Sequence, residues 1–172
     1  GNPQDSLKFV HIAGTNGKGS VLAYVSSVLM KAGYRIGRYS SPAVDTYLER
    51  YWYCGHAISS AKFGELMQKV AECADGMEKD GKEHPKVVEV ETALAFLFFA
   101  EKQCDIAVLE TGMGGEKDAT NLIRTTLVSV LTSISMDHMS FLGKDLASIA
   151  EQKAGIIKSG AEAVSVRQKK EA

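Results

Sequence analysis

The chain alternates short, continuous apolar runs with longer stretches in which apolar residues recur every three or four positions. Leu7 to Ala13 is a short apolar run that predicts a strand. From Ser20 the residues Val21, Leu22, Val25, Val28, Leu29 and Ala32 fall at helical spacing, and Gly33 supplies the stop. Arg35 to Tyr39 reads as the next strand, ended by Ser40-Ser41-Pro42. The order strand, helix, strand favours parallel pairing. The aromatic run Tyr51-Trp52-Tyr53, closed by Cys54-Gly55, predicts another strand and a turn. A helix starts at Ser59 or Ser60, with Phe63, Leu66, Met67, Val70, Ala74 and Met77 on one face. The charged stretch Asp75 to Lys86, with Gly76, Gly81 and Pro85, reads as a surface connection. Val87 to Ala100 is apolar nearly all round and predicts a buried helix. Ile106 to Leu109 is continuously apolar, as a central parallel strand covered on both faces must be, and Leu127 to Ile134 is the next strand. A last helix begins near Asp145 and carries Leu146, Ile149, Ala150, Ala154 and Ile157. The fold class is therefore α/β, a mostly parallel sheet flanked by helices.

Candidate chemistry gathers where predicted strands end. Gly14-Thr15-Asn16-Gly17-Lys18-Gly19-Ser20 joins the first strand to the first helix. Such a turn leaves the first helical N–H groups unpaired, and these together with the helix dipole favour an anion. The glycines let the backbone approach phosphate oxygens, and Lys18 can reach the terminal phosphates. The spacing is shorter than in the usual P-loop, since only Thr15 and Asn16 separate Gly14 from Gly17-Lys18. Gly19, in place of Ser or Thr, offers no hydroxyl to magnesium, so metal ligands must come from elsewhere. The plainer alternative is a tight turn with a solvated lysine. Glu110 ends the strand 106–109 at the sheet edge where open α/β sheets hold ligands, which makes it a candidate magnesium ligand. Lys153 falls in the apolar stripe of the last helix, seven residues after Leu146. A buried ammonium is costly unless paired or neutralised; the alternative is a stem that snorkels to water.

These motifs, in order along nearly the whole chain, resemble the folylpolyglutamate synthase and dihydrofolate synthase family of the Mur ligase superfamily. The carriers are Ala13 to Ser20, Ser41-Pro42, Glu49-Arg50, Glu91-Thr92-Ala93, Glu110 to Gly115, Asp118-Ala119-Thr120-Asn121, Asp137-His138 and Gln152 to Ile156. The resemblance implies a P-loop NTPase-like Mur ligase central domain and an ATP-dependent ligase that adds L-glutamate to folate or dihydropteroate. It implies ATP on Gly14, Thr15, Asn16, Gly17, Lys18, Gly19 and Ser20, and one magnesium (Mg2+) on Ser41 and Glu110. It also implies a second magnesium on His138, with Lys153 carbamylated by carbon dioxide beside it. Lys18, His138 and Lys153 are thus the expected catalytic residues. An exposed aromatic edge at 51–53 would face a pterin, against the plainer reading of core or edge packing. For Glu89 and Glu91 the plainer reading is complementing the helix dipole. Ala43 stands where the family usually has His, and Glu116 where it usually has Arg.

Composition narrows the remainder. With 45% hydrophobic residues and a net charge of −1, the 172 residues can bury a core but show no basic footprint for nucleic acid or a membrane surface. No apolar run is long enough to span a bilayer and there is no leader pattern, so the expectation is a cytoplasmic protein. Cys54, Cys73 and Cys104 are too few and too scattered for a disulfide framework or zinc site and read as reduced, partly buried thiols. The first residue, Gly1, and the polar ending Arg167 to Ala172 suggest a piece of a longer protein: residues 1–172 as a partial N-terminal ATP-binding domain, without the glutamate-binding C-terminal domain. On the resemblance, the parent enzyme is expected to be a monomer and this stretch alone inactive.

Overall fold

The computed structural model describes residues 1–172. In chain order the elements are β1 (Phe9–Ala13), α1 (Lys18–Lys31), β2 (Ile36–Tyr39), β3 (Tyr51–Tyr53), β4 (His56–Ala57), α2 (Ser60–Lys79) and α3 (Val87–Glu101). Then come β5 (Ile106–Glu110), β6 (Thr126–Leu131), α4 (Met139–Leu142), α5 (Leu146–Ala154) and β7 (Glu162–Ser165). All seven strands form one sheet in the order β4-β3-β2-β5-β1-β6-β7. From β2 to β7 across the sheet the pairing is parallel, while β3 and β4 add an antiparallel edge.

Alternation along the central strands explains their unbroken apolar runs. Phe9, Ala107 and Leu109 enter the larger core, which is closed by Leu66 and Val70 of α2 and by Leu94, Phe96 and Phe99 of α3. Val10, Ile12, Ile106 and Val108 point to the opposite face, under Leu22 of α1. Covering both faces removes the polar side that an exposed sheet would need. Close packing leaves no room for a side chain where Gly37 of β2 lies under α3: a Cβ there would stand 2.6 Å from the Phe99 ring.

Several boundaries differ from those the sequence predicts. Helix α1 begins at Lys18, not Ser20, so the lysine belongs to the first turn. Val28 is 68% exposed, because α1 meets the sheet through Leu22, Val25 and Leu29. Helix α2 runs through Asp75 and Gly76 to Lys79, sustained by the Ala74 contact and good helix formers beyond it. Strand β6 stops at Leu131, and Ile134 instead packs with Leu142 and Ile149 in a small third cluster. Helix α5 ends at Ala154, which leaves Ile157 outside it and exposed. Strands β4 and β7 and the single turn α4 carry no distinct periodicity by which the sequence would predict them. Tyr51 is fully buried against Tyr39 and Phe63, which settles the aromatic strand as core packing at that position. Cys104 is buried but Cys73 is exposed.

A Gly37→Ala substitution should therefore destabilise the fold by about 1–3 kcal/mol through overpacking. Denaturant unfolding should show a smaller penalty for the same change in a Phe99→Leu background, because the two sites share one contact.

Candidate functional site

Register places the strand ends on one rim. Ile12 pairs with Glu110 and Ala13 with Leu131, so the segments after β1, β5 and β6 leave the same edge of the sheet. The turn after β1 is held by the segment after β6. The Thr15 amide donates to the Ser133 carbonyl (2.8 Å), and the Thr15 hydroxyl bonds both backbone groups of Ser135 (3.1 Å each). Gly17, at φ 87°, caps α1 in a conformation that costs glycine little. The first amide of this helix to find a backbone acceptor is Val21, on the Gly17 carbonyl (3.0 Å). The N–H groups of residues 17–20 are left free at the mouth of the turn, the arrangement that favours an anion.

Two lysines meet at this turn. Lys18 Nζ and Lys153 Nζ each donate to the Gly14 carbonyl at 3.1 Å. Lys153 is 2% exposed, which excludes the snorkelling alternative. Burial pulls its pKa below the ordinary lysine value, and the Lys18 charge pulls the same way against a weaker opposing pull from Asp137. Lys18 lies 3.9 Å from Glu110 Oε1. Burial raises the Glu110 pKa, opposed by Lys18 and by the Ser41 amide.

Ser41 reaches the rim on the loop after β2, and a buried ion pair steers that loop. Arg50 donates to the Ser40 carbonyl (3.3 Å), the Ser41 hydroxyl (3.4 Å) and the Tyr39 hydroxyl (3.0 Å) while gripping Glu91 of α3 through its two terminal guanidinium nitrogens. Burial is the largest influence on the Arg50 charge and disfavours it, but the Glu91 hydrogen bonds and charge together with Tyr39 and Tyr51 outweigh it and hold the pKa above the usual value. Glu91 thus does not serve the helix dipole. Glu89 instead closes the first turn of α3 by accepting from the Lys86 amide (2.7 Å). A lone carboxylate inside an apolar helix is the available signal in the sequence, but its partner lies 41 residues away.

His138 stands apart from this group. It begins α4 at φ 44°, its side chain is half exposed, and its nearest charged partner is Asp137 at 3.5 Å. The structure brings Gly14, Lys18, Glu110 and Lys153 together, sets Ser41 beside them, and leaves His138 on the outer rim.

The run Asp118 to Asn121 is a bracket. Asp118 accepts from the amides of Gly112 (2.9 Å), Met113 (3.0 Å) and Thr120 (3.0 Å) and from the Thr120 hydroxyl (2.6 Å). That hydroxyl also meets His11 Nε2 of β1 at 2.8 Å. Because the threonine proton is committed to Asp118, His11 must carry a proton on Nε2. Its burial lowers the pKa to about 4. Asn121 ties the Glu116 and Gly155 carbonyls together (2.9 and 3.1 Å). There the loop after β5 crosses the end of α5 so closely that a Cβ on Gly115 would lie 2.7 Å from the Gln152 carbonyl and 2.8 Å from that of Lys153.

Known proteins share this fold. The family model described as the Mur ligase middle domain matches residues 12–170. The chain belongs to the Mur ligase family. Its sequence is 40% identical to a dihydrofolate synthase/folylpolyglutamate synthase of Bacillus subtilis over 161 residues, covering 93% of this chain and 37% of that protein. The structure of folylpolyglutamate synthase from L. casei in its apo form superposes with a TM-score of 0.94 at 35% identity, covering 99% of this chain and 42% of that one. The Mycobacterium tuberculosis folylpolyglutamate synthase complexed with ADP gives 0.89 at 38% identity, covering 99% and 39%. Other matching structures are described as complexes with AMPPCP and with AMPPCP and folate. The chain thus spans well under half the length of the relatives it matches.

Two outcomes follow from the site's construction. Unfolded His11 binds a proton below about pH 6.5, whereas folded His11 does so only near pH 4. Stability should therefore rise with pH across that window, by roughly 3 kcal/mol from this group, and flatten above it. Thermal melts of His11→Gln should lose that share of the slope. Gly115→Ala should displace the end of α5, seen as a lowered melting temperature together with loss of hydrogen-exchange protection at Lys153 and Ala154.

Proposed function

We propose that the whole protein is an ATP-dependent ligase that joins L-glutamate to folate or dihydropteroate through an acyl phosphate. The observation that carries this reading is the meeting of Lys18 and buried Lys153 on the Gly14 carbonyl, beside Glu110, at the mouth of an anion-binding turn. Phosphoryl transfer needs chiefly charge neutralisation and positioning, and that is what this rim supplies. The relatives' names and their complexes with ADP, AMPPCP and folate support the same reading.

In this mechanism the free amides of residues 17–20 and Lys18 hold the β and γ phosphates. The acceptor carboxylate attacks the γ phosphorus and ADP departs. The glutamate amine then attacks the acyl carbon, phosphate leaves, and the amine gives up a proton. The Ser41 hydroxyl and the Glu110 carboxylate are hard oxygen donors suited to magnesium, which takes one or two carboxylates and completes its shell with phosphate and water. Magnesium held by these two groups would supply positive charge beside the phosphates. Arg50 keeps Ser41 in place, and the Asp118 bracket fixes the loop after Glu110. His138 would hold a second magnesium from the outer rim, and Lys153 would carry a carbamate. The lowered Lys153 pKa favours the neutral amine that attacks carbon dioxide, losing a proton and turning a cation into an anion. A cytoplasmic monomer is the working form this reading implies. No helix is long and apolar enough to cross a membrane.

Since the chain covers 37% of its Bacillus relative, the reading assigns nucleotide binding to this stretch and turnover to the longer protein. Calorimetric titration with MgATP should show saturable binding by residues 1–172, weakened about tenfold or more by Lys18→Ala through loss of a charge-assisted contact. Equal affinity in that variant would remove the turn from the phosphate site. Native mass spectrometry of the whole protein under carbon dioxide should add one carbamate that Lys153→Ala lacks; no adduct in either would refute the carbamate.

A further inference from the structure

Beside the nucleotide site, on the α1 face of the sheet, lies a groove whose far end, at Arg38 and Trp52, the mechanism does not use. Arg38 of β2 pairs in register with Val108 of β5 on one side and Trp52 of β3 on the other. By the alternation of the strands, Arg38 shares a face with Val108 and Glu110. Helix α1 covers that face over Ile36, Ile106 and Val108 but stops short of the β2–β3 edge. What remains is a cavity of about 420 Å³, lined by Gly19 and Leu22 of α1 and by Arg38, Trp52, Ser41 and Glu110.

Two donors in this groove have no protein partner. The Arg38 Nε and the Trp52 Nε1 are both shut off from solvent and unbonded. Buried N–H groups of this kind are nearly always paired in native proteins. The Arg38 guanidinium carbon lies 4.2 Å from the centre of the Trp52 ring, and none of the group's nitrogens is hydrogen-bonded within the protein. Two carboxylates, Glu49 and Glu110, also line the groove; the Glu49 charge acts on Arg38, but its Oε1 accepts from the Val44 and Asp45 amides and neither carboxylate is hydrogen-bonded to the guanidinium.

We propose that Arg38 and Trp52 form an oxyanion subsite, in which the guanidinium fork and the indole N–H together take a carboxylate or a phosphate. A planar fork matches both anions in bidentate fashion, and the indole adds a third donor. The groove leads from Arg38 to Glu110, so an anion seated there is delivered next to the proposed site of phosphoryl transfer. That last consequence rests on the ligase reading; the subsite itself does not.

Trp52 is the one tryptophan of the chain and reports on the groove directly. Its fluorescence is to be followed while residues 1–172 are titrated with sodium phosphate and, separately, with L-glutamate, ionic strength being held constant with chloride. The expected result is a saturable change with at least one of the two, and the responsive arm identifies phosphate or carboxylate as the ligand. Arg38→Met should weaken that response about tenfold or more, and Arg38→Lys, which keeps charge but loses the fork, should weaken it too. Circular dichroism checks that each variant is folded; if Arg38→Met is not, Arg38→Lys decides. Lys18→Ala should leave the response intact while weakening MgATP binding, which separates this subsite from the glycine turn. A change that never saturates, an unaltered response in the deciding Arg38 variant, or a phosphate response abolished by Lys18→Ala would overturn the proposal.

Discussion

Two ammonium groups sharing one carbonyl set the terms for the whole rim. Each lies 3.1 Å from the Gly14 oxygen, so they stand no more than about 6 Å apart, one of them buried. At an effective dielectric near 20 their repulsion is of the order of 3 kcal/mol. Glu110, 3.9 Å from Lys18, and the lowered pKa of Lys153 relieve part of that cost. The arrangement makes physical sense as a site that an anion completes, and the free amides at the start of α1 point the same way.

The rest of the molecule holds that concentration of charge in place. Parallel pairing sends β1, β5 and β6 out of the sheet at one edge, which brings the turn, Glu110 and the 132–138 segment together. The buried Arg50–Glu91 pair lies under the Ser41 loop and links it to α3. Asp118 gathers the loop after β5 and reaches β1 through Thr120 and neutral His11. Gly115 and Gly155 allow that loop to lie directly on the end of α5, which is what seats Lys153 beneath the turn. A perturbation at any of these supports reaches the lysines through contacts that have no slack.

Much of this is legible in the order of the residues themselves. The continuous run 106–109 announces a strand covered on both faces, and Lys153 in an apolar stripe announces a buried cation, because both are violations of ordinary surface patterning. The glycine turn is legible as an anion site from its place between a strand and a helix. What the sequence conceals are partnerships across long separations: Arg50 with Glu91, His11 with Thr120, Asn121 with Gly155. Side-chain hydrogen bonds carry no periodicity, so nothing in a window of residues exposes them. Short elements such as β4, β7 and α4 escape for a related reason, since each is stabilised by its neighbours more than by its own pattern. The extension of α2 past Asp75 runs over largely exposed residues, so the local charge run is carried as the last turns of a helix already anchored at Leu66, Val70 and Ala74.

The most direct test of the central claim is a crystal structure of this chain with magnesium and a non-hydrolysable ATP analogue. The terminal phosphates are expected on the amides of residues 17–20, with Lys18 Nζ turned toward them. A magnesium ion is expected at about 2.1 Å from a Glu110 carboxylate oxygen. Phosphates seated away from the turn, or a metal that Glu110 does not touch, would contradict the claim.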